Sequence, residues 1–525
     1  MIRTGPDAGF PSPLPTESDP CPLLHMSSDT VAAPLENPLG NPLGDLSSEE
    51  FSRHADALAR WIASYLRDGE RYPVLAQTSP GALVAALPAQ APTAAEPLAE
   101  ILADLDRVVM PAVTHWNHPG FLAYFANTAS VPGILAELVT AALNQVGILW
   151  RTSPALVELE QVTTGWLRDA MALPSDWFGM ITDTASVSTL QALAAAREMD
   201  PSLEIRHRGM AGRAELPRLR LYCSMQAHSS VDKAAITLGI GAENVVRIAT
   251  DAECRLRPEL LQSAIGADRA AGFRPLAVVA TVGTTSTTSV DPVPAIAAIC
   301  RREGLWLHVD AAYGGAMALL PEARHLFAGV EGADSLVMNP HKWLFTPMDC
   351  SVLWTRHPAV LKRTFSLTPA YLETQEQDVA LSLSDYSFQL GRRFRALKLW
   401  FVMRAFGTEG LAARIRQHCT LAQTFAEWVR ATPTWEVLAP VPMSVVCFRH
   451  RPTDMTDEAA LERHNAGILE RVNASGRVFL SHTKLGARYV LRVAVGNLRT
   501  QEAHLAEAWR LLGEAAAAQS VPVLR

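Results

Sequence analysis

Apolar residues return at helical spacing through FSRHADALARWIASYLRD, with Phe51, Ala55, Leu58, Ile62 and Tyr65 on one face. Ser47 and Glu50, just ahead, have the spacing of a capping box, which predicts where that helix begins. A second helical pattern follows at EPLAEILADLDRVV. From about residue 130 to 410 the period changes. Short apolar runs read as strands: RLRLYCS (218–224), PLAVVATVG (275–283), LWLHVDAAY (305–313), DSLVM (334–338) and CSVLWT (350–355). Helical stretches such as VSTLQALAAAREM, SSVDKAAITLG and PVPAIAAICRREG separate them. This alternation predicts βαβ units and an α/β fold, a mostly parallel sheet flanked by helices. Residues 411–525 group their strands (EVLAPVPMSVVCFRH, RVFLSHT, YVLRVAVG) beside helices, which predicts a small α+β domain. Residues 1–45, rich in Pro, Gly, Ser and Asp and ending in ENPLGNPLG, read as a disordered leader. The expected organisation is therefore a leader (1–45), an N-terminal helical segment (46–130), a large domain (131–410) and a small domain (411–525).

Composition narrows the class. A chain of 525 residues, 49% of them hydrophobic, has enough apolar surface for a large core and more than one domain. A net charge of −7 leaves no basic footprint for nucleic acid or an anionic membrane. The most apolar stretch, GILAELVTAALNQVGILW, is interrupted by Glu137, Asn144 and Gln145, short of the ~18–20 apolar residues of a membrane span. The N-terminus lacks the apolar core of a secretory signal. Seven cysteines are scattered without a C-x-x-C pair, which suggests reduced thiols in a cytoplasm and no zinc or disulfide framework.

In open parallel sheets, ligands sit beyond the carboxyl ends of the strands. Asp310 ends LWLHVD, Lys342 follows DSLVM by a short turn, Thr284 and Thr285 follow PLAVVATVG, and His228 follows RLRLYCS. An amine, a carboxylate, hydroxyls and an imidazole converging there suit pyridoxal phosphate (PLP). Thr184-Ala185-Ser186 opens a helix, where free N–H groups favour the phosphate, and Ser335 and His341 offer further donors. Singly, each feature has an ordinary explanation: a solvated turn, a helix cap or a hydrogen-bonded histidine. Their order along the chain argues against all of these at once.

NPHKW with Lys342, LHVDAAYGG with Asp310, QAHSSVDKA with His228, and LGRRFRALKLWFVMRAFG resemble the group II PLP-dependent amino-acid decarboxylases, in particular the aromatic-L-amino-acid branch. The resemblance runs from about Ser48 to the C-terminus. It implies a fold type I PLP enzyme, like aspartate aminotransferase, working as a homodimer with active sites at the subunit interface. Lys342 then matches the Schiff-base lysine, Asp310 the partner of the pyridinium nitrogen, His228 the imidazole stacked over the ring and Thr285 a hydroxyl beneath it. Thr184, Ala185, Ser186, Ala312, Ser335, Asn339 and His341 match the phosphate and lysine surroundings. Tyr371, in SLTPAYLETQEQDVALSLSDYSFQLGRR, matches the tyrosine of a mobile loop that protonates the α-carbon. Relatives with phenylalanine there tend toward oxidative deamination to aldehydes. Trp116, Tyr124, Phe125 and Asn127, with Val146 and Ile148 further along, match the substrate pocket.

The resemblance also marks departures. Asp183 stands where relatives usually carry glycine, Asn127 replaces a threonine, Asn117 a histidine and Ile148 a phenylalanine. Arg151 adds a charge expected either near the pocket mouth or in an ion pair with Asp183. The leading expectation is decarboxylation of a small-molecule L-amino acid, aromatic in side chain, to its amine. Competing readings are an acidic-amino-acid decarboxylase, disfavoured by Trp116, Tyr124 and Phe125, and an aldehyde synthase, disfavoured by Tyr371. From a different class, an inactive dimeric scaffold is disfavoured by the presence of Lys342, Asp310, His228 and Tyr371 together.

Overall fold

The computed structural model describes residues 45–367, 375–376 and 379–519; the leader reading for 1–45 lies almost wholly outside them. The first helix, Ser48–Arg67, begins at a reciprocal cap. The Ser47 N–H donates to Glu50 Oε2 at 3.1 Å and the Glu50 N–H donates to Ser47 Oγ at 3.2 Å, which satisfies two amides that a helix start otherwise leaves unpaired. None of its residues is buried within the chain.

Seven strands form the central sheet: β1 (Phe178–Thr182), β2 (Leu219–Ser224), β3 (Val245–Ile248), β4 (Arg274–Thr281), β5 (Trp306–Asp310), β6 (Ser335–Met338) and β7 (Ser351–Thr355). Their order is β1-β7-β6-β5-β4-β2-β3, and only β7 runs against its neighbours. β5 and β7 are buried along their whole length, as expected of strands covered on both faces. The core on one side packs Leu307, Val309, Trp343 and Trp354 against helices that include Pro154–Ala170 and Val293–Glu303. The other packs Leu221, Val279 and Leu353 against the helix Ala185–Glu198.

A second, antiparallel sheet follows in the order β10-β11-β9-β8: β8 (Trp435–Val437), β9 (Val445–His450), β10 (Ser481–Leu485) and β11 (Arg488–Ala494). The run expected as one strand, EVLAPVPMSVVCFRH, is thus two. Pro440 and Pro442 interrupt it because proline cannot donate to a ladder. The long helical stretch Arg395–Ala431 joins the two sheets and breaks at Gly407, whose φ of 63° suits glycine. Among the described residues no helix is long and apolar enough to cross a membrane.

One buried ion pair ties this frame together. Arg392 and Glu160 side chains are 2% and 1% exposed, with Arg392 Nη2 2.6 Å from Glu160 Oε1. The same oxygen accepts the Ile181 N–H at 2.7 Å, and Arg392 also donates to the Ile181 carbonyl. The pair therefore fixes the end of β1, which leads into the Thr184 turn. Replacing Arg392 with Met leaves a carboxylate buried without its partner, a loss on the order of 3–5 kcal/mol. Arg392→Met is expected to lower the urea midpoint sharply, and Glu160→Met in the same chain to restore part of it; an unchanged midpoint in the single variant would refute this role.

Candidate active site

The carboxyl ends of β6, β5, β4 and β2 lie side by side because those strands are neighbours in the sheet. Each is followed by a residue singled out from the sequence. Asp310 is the last residue of β5. Lys342 lies in the one-turn helix Pro340–Trp343 after β6, with Pro340 at the first position, where the missing N–H removes no bond. Thr285 follows β4 and His228 follows β2. Thr184 is the N-cap residue of Ala185–Glu198, in extended backbone, so the Ala185 and Ser186 amides have no acceptor inside the helix.

These residues line one cavity of about 400 Å³. Lys342, Asp310, His228 and Thr285 face it together with Thr184, Ala185 and Ser186. Ala312, Asn339 and His341 complete that side. Close backbone approach shapes the floor: a Cβ on Gly314 would lie 2.3 Å from the Val282 carbonyl oxygen, so AYGG after Asp310 cannot carry a side chain there. Burial pulls the Lys342 pKa below the usual lysine range, with Asp310 opposing the shift. The Asp310 Oδ1 accepts the Ala312 N–H at 3.0 Å, which orients the carboxylate.

Both histidines have their tautomer set by the backbone. The Cys350 N–H donates to His341 Nδ1 at 3.0 Å, and the Ser230 N–H to His228 Nδ1 at 3.1 Å. An amide can only donate, so each neutral ring carries its proton on Nε2. Burial, then the neighbouring Lys342, pushes His341 down to about 3, and burial lowers His228 as well. Both are therefore uncharged donors at neutral pH.

On the opposite wall stand Trp116, Tyr124, Phe125 and Asn127. The Phe125 ring stacks on Tyr313 with centroids 3.9 Å apart, Tyr313 stacks on Trp343 at 4.4 Å, and Lys342 Nζ lies 5.2 Å from the Phe125 centroid. Sequence reasoning missed Arg492, which is 4% exposed and also lines the cavity. Its Nε donates to the Ser286 carbonyl at 2.9 Å, Nη2 to Thr285 at 3.2 Å, and Nη1 to the Tyr124 carbonyl. It thus clamps the loop after β4 to the aromatic wall. An arginine inside the apolar run YVLRVAVG was the available signal. Tyr313, also missed, stood directly after the Asp310 motif.

Several expected residues fall elsewhere. Ser335 begins β6, at the end of the strand away from Lys342, and its hydroxyl is taken by Trp306 Nε1 at 3.0 Å and His308 Nδ1 at 2.8 Å. It belongs to the core, and the phosphate role expected for it is corrected. Thr284 bonds Thr287 at 3.0 Å, which leaves Thr285 as the one of the two that lines the cavity. Val146 and Ile148 do not line this cavity in the single chain; Val146 is 51% exposed and bridges to Arg393. Tyr371 lies outside the described residues.

Asp183 does not pair with Arg151, which instead reaches Glu376 at 3.9 Å. Its Oδ1 turns back to accept the Thr184 N–H at 2.6 Å. Arg395 provides the nearby positive charge, and its guanidinium holds Asp349 at 2.9 and 3.1 Å. Charges of alternating sign continue from there: Lys398 Nζ, on a side chain 1% exposed, is 3.9 Å from Asp349 and 2.5 Å from Glu137. Asp349 precedes Cys350, whose amide orients His341.

Chemically, the cavity offers an amine and a carboxylate deep inside, with uncharged N–H donors and free helix-start amides to one side. Among the described residues, the Asn127 Oδ1, Thr281 Oγ1 and Asn339 Oδ1 facing it are buried without a hydrogen-bond partner. This set of donors and acceptors fits pyridoxal phosphate, with an anion at the Ala185 amides and a protonated ring nitrogen at Asp310.

Comparison with known proteins agrees. Residues 80–451 match the family described as "Pyridoxal-dependent decarboxylase conserved domain". Tryptophan decarboxylase TDC2 of Camptotheca acuminata is 41% identical over 481 residues, covering 90% of this chain and 95% of the relative. Phenylacetaldehyde synthase of a Rosa hybrid cultivar is 39% identical over 489 residues, with 90% and 95% covered. The structure of Oryza sativa TDC with PLP and tryptamine superposes with a TM-score of 0.87 at 36% identity, over 91% of this chain and 100% of that one. The chain belongs to the pyridoxal-dependent decarboxylase family and is a PLP-dependent amino-acid decarboxylase, a carboxy-lyase.

Proposed function

We propose that the substrate is an aromatic L-amino acid (tryptophan, tyrosine, phenylalanine or dihydroxyphenylalanine), released as the corresponding amine and CO2. The wall of Trp116, Tyr124 and Phe125 facing Lys342 carries this reading, since flat apolar rings suit an aromatic side chain. The names of the tryptophan and tyrosine decarboxylases among its relatives support it.

When bound, the cofactor supplies an electron sink for the pair left at the α-carbon as the carboxylate departs as CO2. Lys342 holds it covalently, and burial favours the uncharged amine this requires. Asp310 keeps the ring nitrogen protonated, an electrostatic contribution that grows as negative charge develops. His228 and Thr285, which line the same cavity, would contact the ring. Thr184, Ala185, Ser186, Asn339 and the Nε2–H of His341 would hold the phosphate, with Ala312 lining the same cavity. Asp183 takes one amide of that turn for itself, and Arg395 offsets its charge. Tyr371 returns a proton to the α-carbon, which yields the amine.

The working unit in this reading is a homodimer in the cytoplasm. The helix Val131–Leu143 exposes Val131, Leu135, Leu138 and Leu143 along one side, continued by Val146. Such a stripe favours burial against a second copy, which would bring Val146 and Ile148 to the partner's cavity. Residues 46–130 then serve dimerisation, 131–410 hold the cofactor and 411–525 form the small domain. The six described cysteines are unpaired, in keeping with a reducing compartment.

A panel of L-amino acids assayed for CO2 and amine should give turnover with aromatic substrates and little with glutamate or aspartate; the reverse ranking would overturn the substrate assignment. Borohydride reduction of the holoenzyme is expected to fix the cofactor to the peptide containing Lys342, and Lys342→Ala to yield no fixed cofactor. Label on another lysine would contradict the assignment. Tyr371→Phe should slow amine formation on the order of 10²-fold and divert product to aldehyde, ammonia and peroxide at the expense of O2. Undiminished amine formation in that variant would rule out Tyr371 as the proton donor.

A further inference from the structure

Behind the aromatic wall lies a second cavity of about 280 Å³, lined among others by Tyr65, His115, His118, Arg499 and His504. Its chemistry is nearly all donor. Arg499 Nη1 is buried without a hydrogen-bond partner, and no carboxylate among the described residues forms an ion pair with this guanidinium. Burial lowers its pKa, as for a cation lacking a counter-charge. The Gly120 N–H donates to His118 Nδ1 at 2.9 Å and the Gln501 N–H to His504 Nδ1 at 2.9 Å, which leaves Nε2 as the donor nitrogen of each ring. Burial holds His118 down at about 4, which makes it a neutral donor. The one acid lining the cavity, Glu70, is 68% exposed at its side chain and lies 3.6 Å from His504. Among the described residues no cluster of His, Cys, Asp and Glu is arranged for a metal ion. A half-buried guanidinium whose Nη1 is shielded and unpartnered, set among N–H donors, suits an anion.

We propose that this cavity binds a small oxyanion, a phosphate or carboxylate group, on Arg499 with His118 and His504, and that occupancy adjusts substrate affinity. The connection is short. His115, Asn117 and His118 face this cavity while Trp116, between them, faces the first. Asn497, fully buried, fastens the segment by donating to the Trp116 carbonyl at 3.0 Å and the His118 carbonyl at 2.9 Å. Arg499 lies two residues further on, so a ligand drawing on it acts on the same support.

The holoenzyme, with its cofactor seat filled, is titrated with inorganic phosphate and in parallel with acetate, ionic strength being held constant with chloride. Phosphorus-31 line broadening in the phosphate arm and thermal midpoint in both arms read binding; KM and kcat read coupling. The expected result is saturable binding and a KM change of about five-fold, the low end of allosteric coupling, at unchanged kcat. Arg499→Gln should abolish both responses and Arg499→Lys retain part of them. The arm that saturates at lower concentration identifies the anion. No saturable response in the wild type, as when a carboxylate of a second copy already fills the cavity, overturns the proposal without any variant. An equal response in Arg499→Gln does so too. The coupling readout rests on the proposed substrate class, whereas line broadening and thermal midpoint do not, so failure of either is told apart.

Discussion

A lysine amine withdrawn from water beside a carboxylate is the constraint on which the rest of the site depends. Lys342 must be buried to favour its uncharged form, yet Asp310, needed within the same cavity, pulls toward the charged one. Both can be satisfied only where the backbone delivers them from adjacent strands at fixed separation. β5 and β6 pair in parallel with Asp310 opposite Val337, so the two motifs leave the sheet at one edge. Beside them stack the rings of Phe125, Tyr313 and Trp343, with Lys342 Nζ 5.2 Å from the Phe125 centroid.

Around this apolar centre several buried charges come in balanced sets, while Arg492 is held by carbonyls alone. Glu160 and Arg392 neutralise each other at the end of β1. Asp183, Arg395, Asp349, Lys398, Glu137 and Arg393 alternate in sign from the phosphate-side turn to the helix Val131–Leu143. Leaving a buried member such as Lys398 without its partners would cost several kcal/mol, which couples the elements that carry them. That explains why an acid is tolerated at position 183 beside a phosphate seat. It also links His341, through Asp349 and Cys350, to the face that carries the exposed leucines.

Five of the seven central strands were legible because each is a compact apolar run between polar turns. β1 and β3 were not: FGMIT holds a glycine among few β-branched residues, and VVRI is only four residues long. Lys342, Asp310, His228 and the Thr184 turn could be read from local sequence because each stands at an element boundary, where side chains leave the apolar pattern. Ser335 misled because a hydroxyl next to an apolar run looks the same at either end of a strand; only its bonds to Trp306 and His308 show that it faces the core.

By itself the sequence determined the alternation of strands and helices, the residues able to form a PLP site, and their order, because these follow from local period and side-chain chemistry. Tertiary structure alone decided which of them meet. Strand order brought β6, β5, β4 and β2 together out of sequence and placed Arg492, from the second sheet, against Tyr124 and Thr285. It also set Arg499, which has no carboxylate partner among the described residues, in a cavity lined by the neighbours of Trp116. The physical reason is that a charge's partner in the interior is chosen by long-range packing, which no local pattern records.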